Sequence, residues 1–443
     1  MTVPMILLSV ALHIHSHPAF PGAQGFGSTT KGGRGGTIHF VTTLASDGPG
    51  SFREACEADG PRIVLFRVGG TITIEEPIRI QNPYITIAGQ TAPGDGICIK
   101  GAALAITTHD VVVRGLRIRI GDGPGTDPSN RDGLAIANKS TQPYNVIIDH
   151  CSISWAIDEN VQLWYPCNNI TIQWCIISEG LHNSLHPKRP HSCGIIIGNY
   201  AKNISIHHTL LAHNDGRSPL MKQGSESEFI NNVVYNWGRF GASRVSNWER
   251  HNAIIRANII GNYYIPGAHS SIEPIDLQAP ERLRKGTKVF VRDNIGPGRM
   301  SDATDDWALV SGDEKFRTHQ PAIALSNVSV TSASSAYEQV LRYAGAITPK
   351  RDTVDARVVQ SVIDRTGRII DSQKDVGGWP VYETGSPPVD SDNDGIPDEY
   401  ENELGCDPEV ADSHRINEDG YMMLEVYLNN ILALEATNNN LNP

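Results

Sequence analysis

Four polar residues lie at matching distances before apolar segments that look like successive strands. The residues found 11 to 13 positions before the segments that begin at 145, 169, 203 and 228 are Asp132, Asp158, His191 and Arg217. If these segments stack, the four side chains project from one face, and Asp132 and Asp158 lie about 5 Å apart. Two carboxylates at that separation could hold one Ca²⁺ ion through hard oxygen ligands.

Neighbouring residues could complete such a site. Glu159 and Gln162 are candidates for the remaining calcium ligands. Arg217 is expected about two coils beyond Asp158, at roughly 10 Å, which is about the reach of one sugar unit. Further cations in the same region are Lys188, Arg189, Lys222, Arg239 and Arg244. Taken singly, each carboxylate would be a solvated turn residue and Arg217 a surface ion-pair partner, so the shared phase is what favours a site.

A groove of this kind suits one reaction on an acidic sugar polymer. The C5 proton of a uronate, α to its carboxylate, would be removed, and the 4-O-glycosidic oxygen would then leave. A bound divalent cation and cationic side chains stabilise the enolate-like charge that develops. Arginine is a poor base because its pKa is above about 12, so Arg217 would need positive neighbours that favour its neutral form.

A sequence repeat provides the elements that would position these residues. Apolar alternating segments begin at 84, 110, 145, 169, 203 and 228, so steps near 25 residues alternate with steps near 35. Each segment reads as a strand, a two-residue break and a second strand. Stacked coils bury a continuous apolar column that a single coil cannot bury. The repeat therefore predicts an all-β, single-stranded solenoid, a parallel β-helix; irregular spacing without hairpin turns disfavours the competing β-sandwich.

Two sets of residues share a phase within the repeat. Cys151 and Cys175 fall six residues into their segments, and we interpret them as a buried thiol stack rather than a disulfide. Asn145, Asn169 and Asn203 occupy the first position of their segments. Their amides are expected to form a ladder along a turn, which is a structural role.

The overall charge restricts the partners. The formal net charge is −12, from 37 Lys and Arg against 49 Asp and Glu. Nucleic acid is disfavoured, because phosphate binding needs a basic surface. An acidic polysaccharide meets the same objection unless a cation or a local cluster of Lys and Arg reverses the field at the site.

The N-terminus predicts an exported protein. Residues 5–12, MILLSVAL, are apolar but too short to span a bilayer, which is typical of a secretory signal. A misassigned start is the alternative, since no Lys or Arg precedes this run. We expect a secreted or extracellular protein, periplasmic or at the cell surface in the alternatives, that is monomeric and has no membrane span.

The stretches at 19–36 (AFPGAQGFGSTTKGGRGG), 41–55, 86–101, 111–122 and 147–161 resemble polysaccharide lyase family 1, the pectate lyases, in their secreted bacterial branch. The resemblance covers residues 19–380. It implies a right-handed parallel β-helix with Ca²⁺ in its groove. It also implies calcium-dependent β-elimination of an α-1,4-linked uronate polymer, a plant-type polysaccharide such as pectate (polygalacturonate), with 4,5-unsaturated products.

The resemblance also assigns calcium ligands. Asp132 in NRDGLAI matches a family calcium carboxylate, and Asp158 in IDENV matches a second acidic ligand. Gln162 falls where the family usually has a third carboxylate. We expect Glu159 to compensate for this departure.

Catalytic and substrate-binding roles carry over in the same way. Arg217 in GRSPLMKQG matches the catalytic arginine of the family, and Lys222 stands where a second basic residue contacts substrate. The additional groove lysine has two candidate counterparts, Lys188 and His191. Arg239 is predicted to bind substrate with them.

A second calcium site is predicted near the C-terminus. The segment DSDNDGIPDEYE at 390–401 has the spacing of an EF-hand loop, with Gly395 at position 6. The predicted ligands are Asp390, Asp392, Asp394, the carbonyl of Ile396, Asp398 and Glu401. A helix should follow, and residues 417–430 resemble a decayed partner loop. Such tails resemble dockerin or thrombospondin type 3 repeats and could attach the protein or stabilise its C-terminal end.

These predictions divide the chain into four parts. They are a signal segment at 1–18, a β-helix lyase domain at 19–380, a linker at 381–389 and an EF-hand-like, α-helical calcium module at 390–443. Residues 281–376 follow the repeat only faintly and are expected to pack as loops along the β-helix.

Two other functions compete with the lyase. A β-helix glycoside hydrolase of pectic polymer would need paired carboxylates as acid and base, and Asp132 with Asp158 could serve. A non-catalytic carbohydrate-binding β-helix would not need Arg217. An aromatic cleft of the pectin lyase type is suggested by Trp155, Trp164 and Trp174, although the acidic pair argues against it.

Overall fold

A computed structural model of the chain describes residues 17–188, 190–239, 241–247, 253–270, 273–277 and 282–438. The predicted signal segment at 1–18 lies outside the described residues, apart from His17 and Pro18. Across the described ranges, every helix falls short of the length and apolar character that a bilayer crossing requires. The division of the chain at 381–389 stays a prediction.

Short strands account for most of the regular structure. In chain order they are β1 (Thr37–Val41), β2 (Arg62–Phe66), β3 (Gly70–Thr73), β4 (Ile78–Ile80), β5 (Ile85–Ala88), β6 (Ile97–Lys100), β7 (Leu104–Ile106), β8 (Val111–Arg114), β9 (Arg117–Arg119), β10 (Leu134–Ile136), β11 (Tyr144–Asp149), β12 (Ser152–Ser154), β13 (Glu159–Leu163), β14 (Asn168–Gln173), β15 (Ile176–Ser178), β16 (Cys193–Ile197), β17 (Lys202–His207), β18 (Leu210–Ala212), β19 (Leu220–Met221), β20 (Glu226–Ile230), β21 (Val233–Tyr235), β22 (Ser243–Val245), β23 (Arg256–Ile260), β24 (Tyr263–Ile265), β25 (Ile275–Leu277), β26 (Lys288–Arg292) and β27 (Val310–Ser311).

Helices lie mainly near the two ends of the sequence. The α-helices are α1 (Phe52–Glu57), α2 (Ala333–Tyr343), α3 (Thr353–Asp364), α4 (Asp398–Leu404) and α5 (Met423–Asn438). Short 3-10 helices occur at Gly89–Thr91, Pro128–Asn130, Asp306–Leu309, Glu314–Phe316 and Gln373–Val376.

The strands form three parallel sheets. Sheet 1 contains β1, β2, β5, β8, β11, β14, β17, β20, β23 and β26 in that order. Sheet 2 runs from β3 to β24 with eight strands and sheet 3 from β4 to β27 with nine, so every coil from β2 to β23 contributes one strand to each sheet. A coil is one turn of the solenoid, such as β11, β12 and β13. This topology confirms the predicted right-handed parallel β-helix.

Alternation along each strand builds the core. Val146 and Ile148 of β11 point into the column of apolar side chains enclosed by the three sheets. Ile147 points outward and packs with Phe20 and Val112. The same period of two recurs in neighbouring coils, where β14 buries Ile170 and Ile172 inside the column. One sequence period therefore serves every coil.

The predicted strand, break and strand units are confirmed from the segment at 110 onward, but in the segment at 84 eight residues separate β5 from β6. From β8 onward, sheet 1 strands connect to sheet 2 strands through two residues, and the first of these adopts positive φ, as at His150 (48°), Trp174 (52°) and His208 (51°). Cys151 and Cys175, the second break residues of their coils, are buried and free, so the predicted thiol stack is confirmed.

The predicted asparagine ladder is also confirmed. Asn169 Nδ2 donates to Asn145 Oδ1 at 3.1 Å. Asn203 Nδ2 donates to Asn169 Oδ1 at 3.0 Å. The ladder holds the first residues of successive coils in register.

The N-terminal glycine-rich segment covers the outer face of sheet 1. Gly27 N donates to Thr171 Oγ1 at 2.9 Å, and Gly33 N donates to Thr86 Oγ1 at the same distance. A Cβ atom at Gly27 would lie 2.3 Å from the Val146 carbonyl oxygen, and one at Gly33 would lie 1.8 Å from that of Arg62. Only glycine permits this approach of two backbones.

The expectation for residues 281–376 was wrong. This stretch contributes β26 and β27 to the solenoid and then forms α2 and α3. Both helices pack on the outside of sheet 2, where Val340 and Val358 contact a patch that includes Leu210 and Val233. The helices follow a period of 3.6, which a search for the strand repeat does not detect.

Candidate active site

The loops that lead into sheet 3 carry the residues predicted to form a site. Asp132 precedes β10 by two residues, and Asp158 immediately precedes β13. His191 comes two residues before β16, and Arg217 three residues before β19. Because β10, β13, β16 and β19 are neighbours in sheet 3, the shared phase in the sequence becomes a shared face in the structure.

Three carboxylates meet on this face, and we call them the groove carboxylates: Asp132, Asp158 and Glu159. Their oxygens lie within 4.8 Å of one another, and all three residues are buried. Burial raises the pKa of Asp132 well above its ordinary value, and the adjacent Asp158 carboxylate raises it further. Like charges held this closely, with only oxygen donors, fit a hard cation such as Ca²⁺. Gln162 lines the adjoining cavity from the same strand.

Two histidines flank Asp158. His191 Nε2 lies 2.6 Å from Asp158 Oδ1, and His186 Nε2 lies 3.6 Å from the same oxygen. The two imidazole rings stack with centroids 3.8 Å apart. Burial lowers the pKa of His186, and His191 lowers it further. His191 was predicted to bind substrate, and here it orients a carboxylate.

Arg217 lies closer to the carboxylates than the coil count predicts. Its guanidinium contacts the carboxylate of Glu159 directly, because the side chain reaches back past the intervening coil. Burial lowers the pKa of Arg217, while Asp158 and Asp132 raise it and Arg244 lowers it. The expected separation of about 10 Å is therefore wrong for the guanidinium, although the backbone lies two coils away.

Two adjoining cavities form a groove beside the carboxylates. The first, of about 580 Å³, is lined by Ser129, Asn130, Asp158, Glu159, Gln162, Trp164, Tyr165, Lys188, Ile196, Arg217, Leu220 and Lys222. The second, of about 190 Å³, is lined by Lys188, Pro190, His191, Cys193, Gly216, Arg217, Leu220 and Arg244. Four cations thus face the groove of a protein whose net charge is −12. A local basic surface of this kind can attract an acidic ligand.

No family model matches the chain. It is 36% identical to Probable pectate lyase C of Aspergillus oryzae over 423 residues, which cover 94% of each protein. The protein of the same name from Aspergillus fumigatus is 36% identical over 425 residues, with 94% of each covered.

The chain belongs to the pectate lyase family. The predictions of a pectate lyase function and of a polysaccharide lyase enzyme are confirmed by this relationship. The relatives compared above are fungal, so assignment to the secreted bacterial branch stays a prediction.

Solved structures share the fold of this pectate lyase family member. The cedar pollen allergen jun a 1 matches with a TM-score of 0.52 and 16% identity, covering 74% of this chain and 93% of the allergen. A Bacillus sp. N165 pectate lyase, solved with trigalacturonate, matches with a TM-score of 0.51 and 17% identity, covering 73% and 98%. At this identity the likeness shows the parallel β-helix alone.

Of the three remaining residues predicted to bind substrate, two border the groove of this pectate lyase family member and one does not. Lys222 is buried, and its ammonium sits 4.1 Å from the centre of the Trp164 ring. Lys188 is exposed and borders both cavities. Arg239 lines neither cavity, and its Nε lies 3.5 Å from Asp215 Oδ2. The structure therefore does not bring Arg239 to the groove.

The sequence did not indicate a role for His186, and it did not show which of the three tryptophans lines the groove. His186 and His191 are five residues apart in one loop, a spacing that carries little signal without the coil geometry. Trp164 lines the groove of this family member, whereas Trp155 is buried and donates to Glu179. Trp174 stacks on a neighbouring histidine away from the groove.

The predicted C-terminal ligands of this family member divide into two groups. Ligand oxygens of Asp390, Asp392 and Asp394 lie within 4.8 Å of one another, as do those of Asp394, Glu401 and Asp412. Asp398 begins helix α4, and its carboxylate accepts hydrogen bonds from the backbone and hydroxyl of Ser391, both at 2.8 Å. Ile396 is buried, and its backbone N–H donates to Asp394. Asp412 lies outside the loop motif and was missed for that reason.

Proposed function

We propose that this protein cleaves pectate, an α-1,4-linked polygalacturonate, by calcium-dependent β-elimination that gives 4,5-unsaturated products. The observation that carries the proposal is the meeting of three carboxylates, Asp132, Asp158 and Glu159, with the half-buried guanidinium of Arg217. This arrangement provides a cation site and a basic group beside one groove. The relatives named pectate lyase support the same substrate class.

The groove carboxylates would hold Ca²⁺, with Gln162 as a further oxygen donor. When bound, the ion supplies charge that stabilises the carboxylate and enolate-like oxygens of the uronate. His191 holds Asp158 in place through its Oδ1 atom, and the ring of His186 stacks on that of His191. The protein thereby orients an oxygen ligand that a solvent-exposed aspartate would leave mobile.

Arg217 is the group we assign to removal of the C5 proton. In the elimination, the C5–H bond breaks to the base, the C4–O bond breaks, and a C4–C5 double bond forms as the leaving oxygen takes a proton. Burial lowers the pKa of Arg217, and the nearby Arg244 acts in the same direction. Both effects favour the neutral guanidine that can accept a proton.

Lys222 and Lys188 are assigned to binding the polymer carboxylates. Trp164 holds the Lys222 ammonium over its ring at 4.1 Å, which limits the orientations of that lysine. Lys188 stands at the boundary of the two cavities, where successive sugars would pass. Positive side chains here offset the acidity of the whole protein.

The experiment is ultraviolet detection of unsaturated products from polygalacturonate, with and without EDTA. Wild type should form them only when Ca²⁺ is present. Arg217→Ala should lower kcat/KM by about 10²- to 10⁴-fold, the usual contribution of a general base. Arg292→Ala, which removes an exposed arginine from sheet 1, is the matched control and should be unaffected. A hydrolase would release reducing ends without unsaturated product, and that result would overturn the proposal.

Three further assignments belong to this proposal. We infer that the protein is secreted, because a polymer of this kind lies outside cells, and that it acts as a monomer. We also infer that the EF-hand-like loop at 390–401 binds a second Ca²⁺, supported by the convergence of Asp390, Asp392 and Asp394. The resemblance of the tail to a dockerin stays a prediction.

A further inference from the structure

Five carboxylates meet where the C-terminal helices contact the β-helix, and we call them the C-terminal carboxylates: Asp390, Asp392, Asp394, Glu401 and Asp412. Asp394 belongs to both groups of ligand atoms that lie within 4.8 Å. It joins the loop before α4 to the segment between α4 and α5. The two groups therefore adjoin at Asp394 and draw on two separate stretches of chain.

Glu401 shows that this position needs a positive charge. Its exposure is 0%, and among the described residues neither carboxylate oxygen has a hydrogen-bond partner. A buried carboxylate without a partner is strongly destabilising unless a cation binds it.

Asp390 and Asp392 each use one oxygen to shape the loop and keep the other available, whereas Asp394 accepts through both oxygens, from the N–H groups of Ile396 and Ser413. Asp392 Oδ1 accepts from the Asp394 N–H at 3.0 Å, and Asp390 Oδ2 accepts from the Gly395 N–H at 3.1 Å. Within the described chain, Asp392 Oδ2, Asp390 Oδ1 and Asp412 Oδ1 are buried without a hydrogen-bond partner. Orphaned oxygens from four residues, Glu401 included, are thus available to one ion.

The same cluster lies on an interface with the first coils. Ile396, Leu424 and Leu428 pack against Ile63 and Leu65, which point outward from β2. Without these C-terminal side chains, the outer face of β2 would be an exposed apolar surface. The carboxylates set the geometry of the loop that presents Ile396 to this surface.

Ion pairs tie both sides of the interface together. Arg67, which follows β2, donates to Asp390 Oδ2 at 2.8 Å and to Asn393 Oδ1 at 2.9 Å. Arg34 pairs with Glu425 of α5 at 2.8 Å. A C-terminal carboxylate therefore contacts the β-helix directly as well as through apolar packing.

We propose that Ca²⁺ bound by the five C-terminal carboxylates is a structural ion that fastens α4 and α5 to the N-terminal coils of the β-helix. The set differs from the EF-hand loop, because Asp412 from the following segment contributes and Asp398, engaged with Ser391, does not. The ion stabilises the N-terminal end of the solenoid, not its C-terminal end. This inference rests on the proposed second calcium site and is independent of the lyase activity.

The test compares Glu401→Gln with Glu399→Gln in the full chain. Both remove one negative charge, but Glu399 is exposed on the same helix and outside the cluster. We expect Ca²⁺ to raise the melting temperature of wild type and Glu399→Gln by roughly 5 °C at about 100 times its dissociation constant. Glu401→Gln should show little of this shift. In EDTA it should melt above wild type, since it removes a repelled buried charge.

Calcium stoichiometry by isothermal titration separates the ligand sets. Asp412→Asn should bind one Ca²⁺ fewer per chain than wild type, whereas Asp398→Asn should bind the same number. The reverse pattern would support the EF-hand register and overturn our ligand set. An unchanged melting shift in Glu401→Gln would overturn the structural role.

The product assay distinguishes this inference from the proposed activity. At saturating Ca²⁺, Glu401→Gln should form unsaturated products at the wild-type rate. If wild type itself formed none, the lyase proposal would fail while the melting and stoichiometry results would still decide the structural ion. Loss of activity in Glu401→Gln at temperatures where it stays folded would contradict the separation of the two sites.

Discussion

The groove carboxylates and the C-terminal carboxylates are both acidic clusters with buried members, but they differ in what balances their charge. In the groove, Glu159 contacts Arg217, Asp158 lies 2.6 Å from His191, and Asp132 accepts from the Glu159 N–H at 3.1 Å. Near the C-terminus, both oxygens of Glu401 are without hydrogen-bond partners among the described residues. Arg67 pairs with Asp390 at 2.8 Å and Arg415 with Asp412 at 3.4 Å, so Glu401 is the carboxylate whose charge an ion would offset. We therefore expect a groove ion to matter mainly for catalysis and a C-terminal ion to matter mainly for stability.

The largest effect is expected from Asp158→Asn. Removing one groove carboxylate should lower kcat/KM on polygalacturonate on the order of 10³-fold, because the cation site loses charge and His191 loses its partner. The calcium-dependent rise in melting temperature should persist, since it belongs to the other cluster. If that rise disappears as well, the two clusters do not act separately.

Acid should destabilise the β-helix through buried histidines that belong to neither carboxylate cluster. Burial lowers the pKa of His208 to about 4 and that of His213 to about 4, against 6.5 in the unfolded chain. The unfolded state then binds more protons between these values, so stability is full above pH 6.5 and falls as pH drops towards 4. Each histidine should lower the free energy of unfolding by about 3 kcal/mol at pH 4 relative to its value above pH 6.5.

Melting temperatures measured from pH 8 to pH 4 at saturating Ca²⁺ check this expectation. In His213→Gln the melting temperature should fall less between pH 6.5 and pH 4 than in wild type. An equal fall in the two proteins would mean that other groups control acid unfolding. Comparison of the two clusters is therefore best made above pH 6.5.

Lys222→Met should weaken substrate binding with a smaller effect on turnover. Its ammonium is held over Trp164 in the groove, so we expect KM to rise about tenfold, or about 1.4 kcal/mol of binding free energy. Lys222→Arg should restore most of the binding. Lys315→Met, which removes an exposed lysine, serves as the control in steady-state assays. A fall in kcat with KM unchanged would show that Lys222 acts in the chemical step and not in substrate binding.

The smallest effect is expected from Arg67→Met. The Arg67 side chain is partly exposed, so loss of its pairing with Asp390 should lower stability by only about 0.5–1 kcal/mol in thermal denaturation with Ca²⁺. Arg292→Met, which removes a surface pair with Asp293, should leave the calcium-dependent melting shift unchanged. A larger loss for Arg67→Met than for Glu401→Gln would show that the ion pair, rather than the ion, holds the interface.

Much of the solenoid could be predicted because its signals are local and repeated. The segments from 110 onward have two strands per coil with a two-residue break, as predicted, whereas the segment at 84 has a longer break. The third strand follows loops of variable length, and its own length varies from two residues in β19 to five in β13 and β16. A sequence period cannot detect an element whose distance from its neighbours changes from coil to coil. Helices α2 and α3 were missed because they follow a different period.

The sequence by itself determined the parallel β-helix, the shared face of Asp132, Asp158 and Arg217, and the acidic loop at 390–401. These follow from alternation, repeat phase and ligand spacing, which are properties of neighbouring residues. Only the tertiary structure decided that Arg217 reaches Glu159, that Arg239 lies away from the groove and that Asp412 joins Glu401. Side-chain reach and the docking of distant segments depend on three-dimensional packing, and no spacing along the chain encodes them.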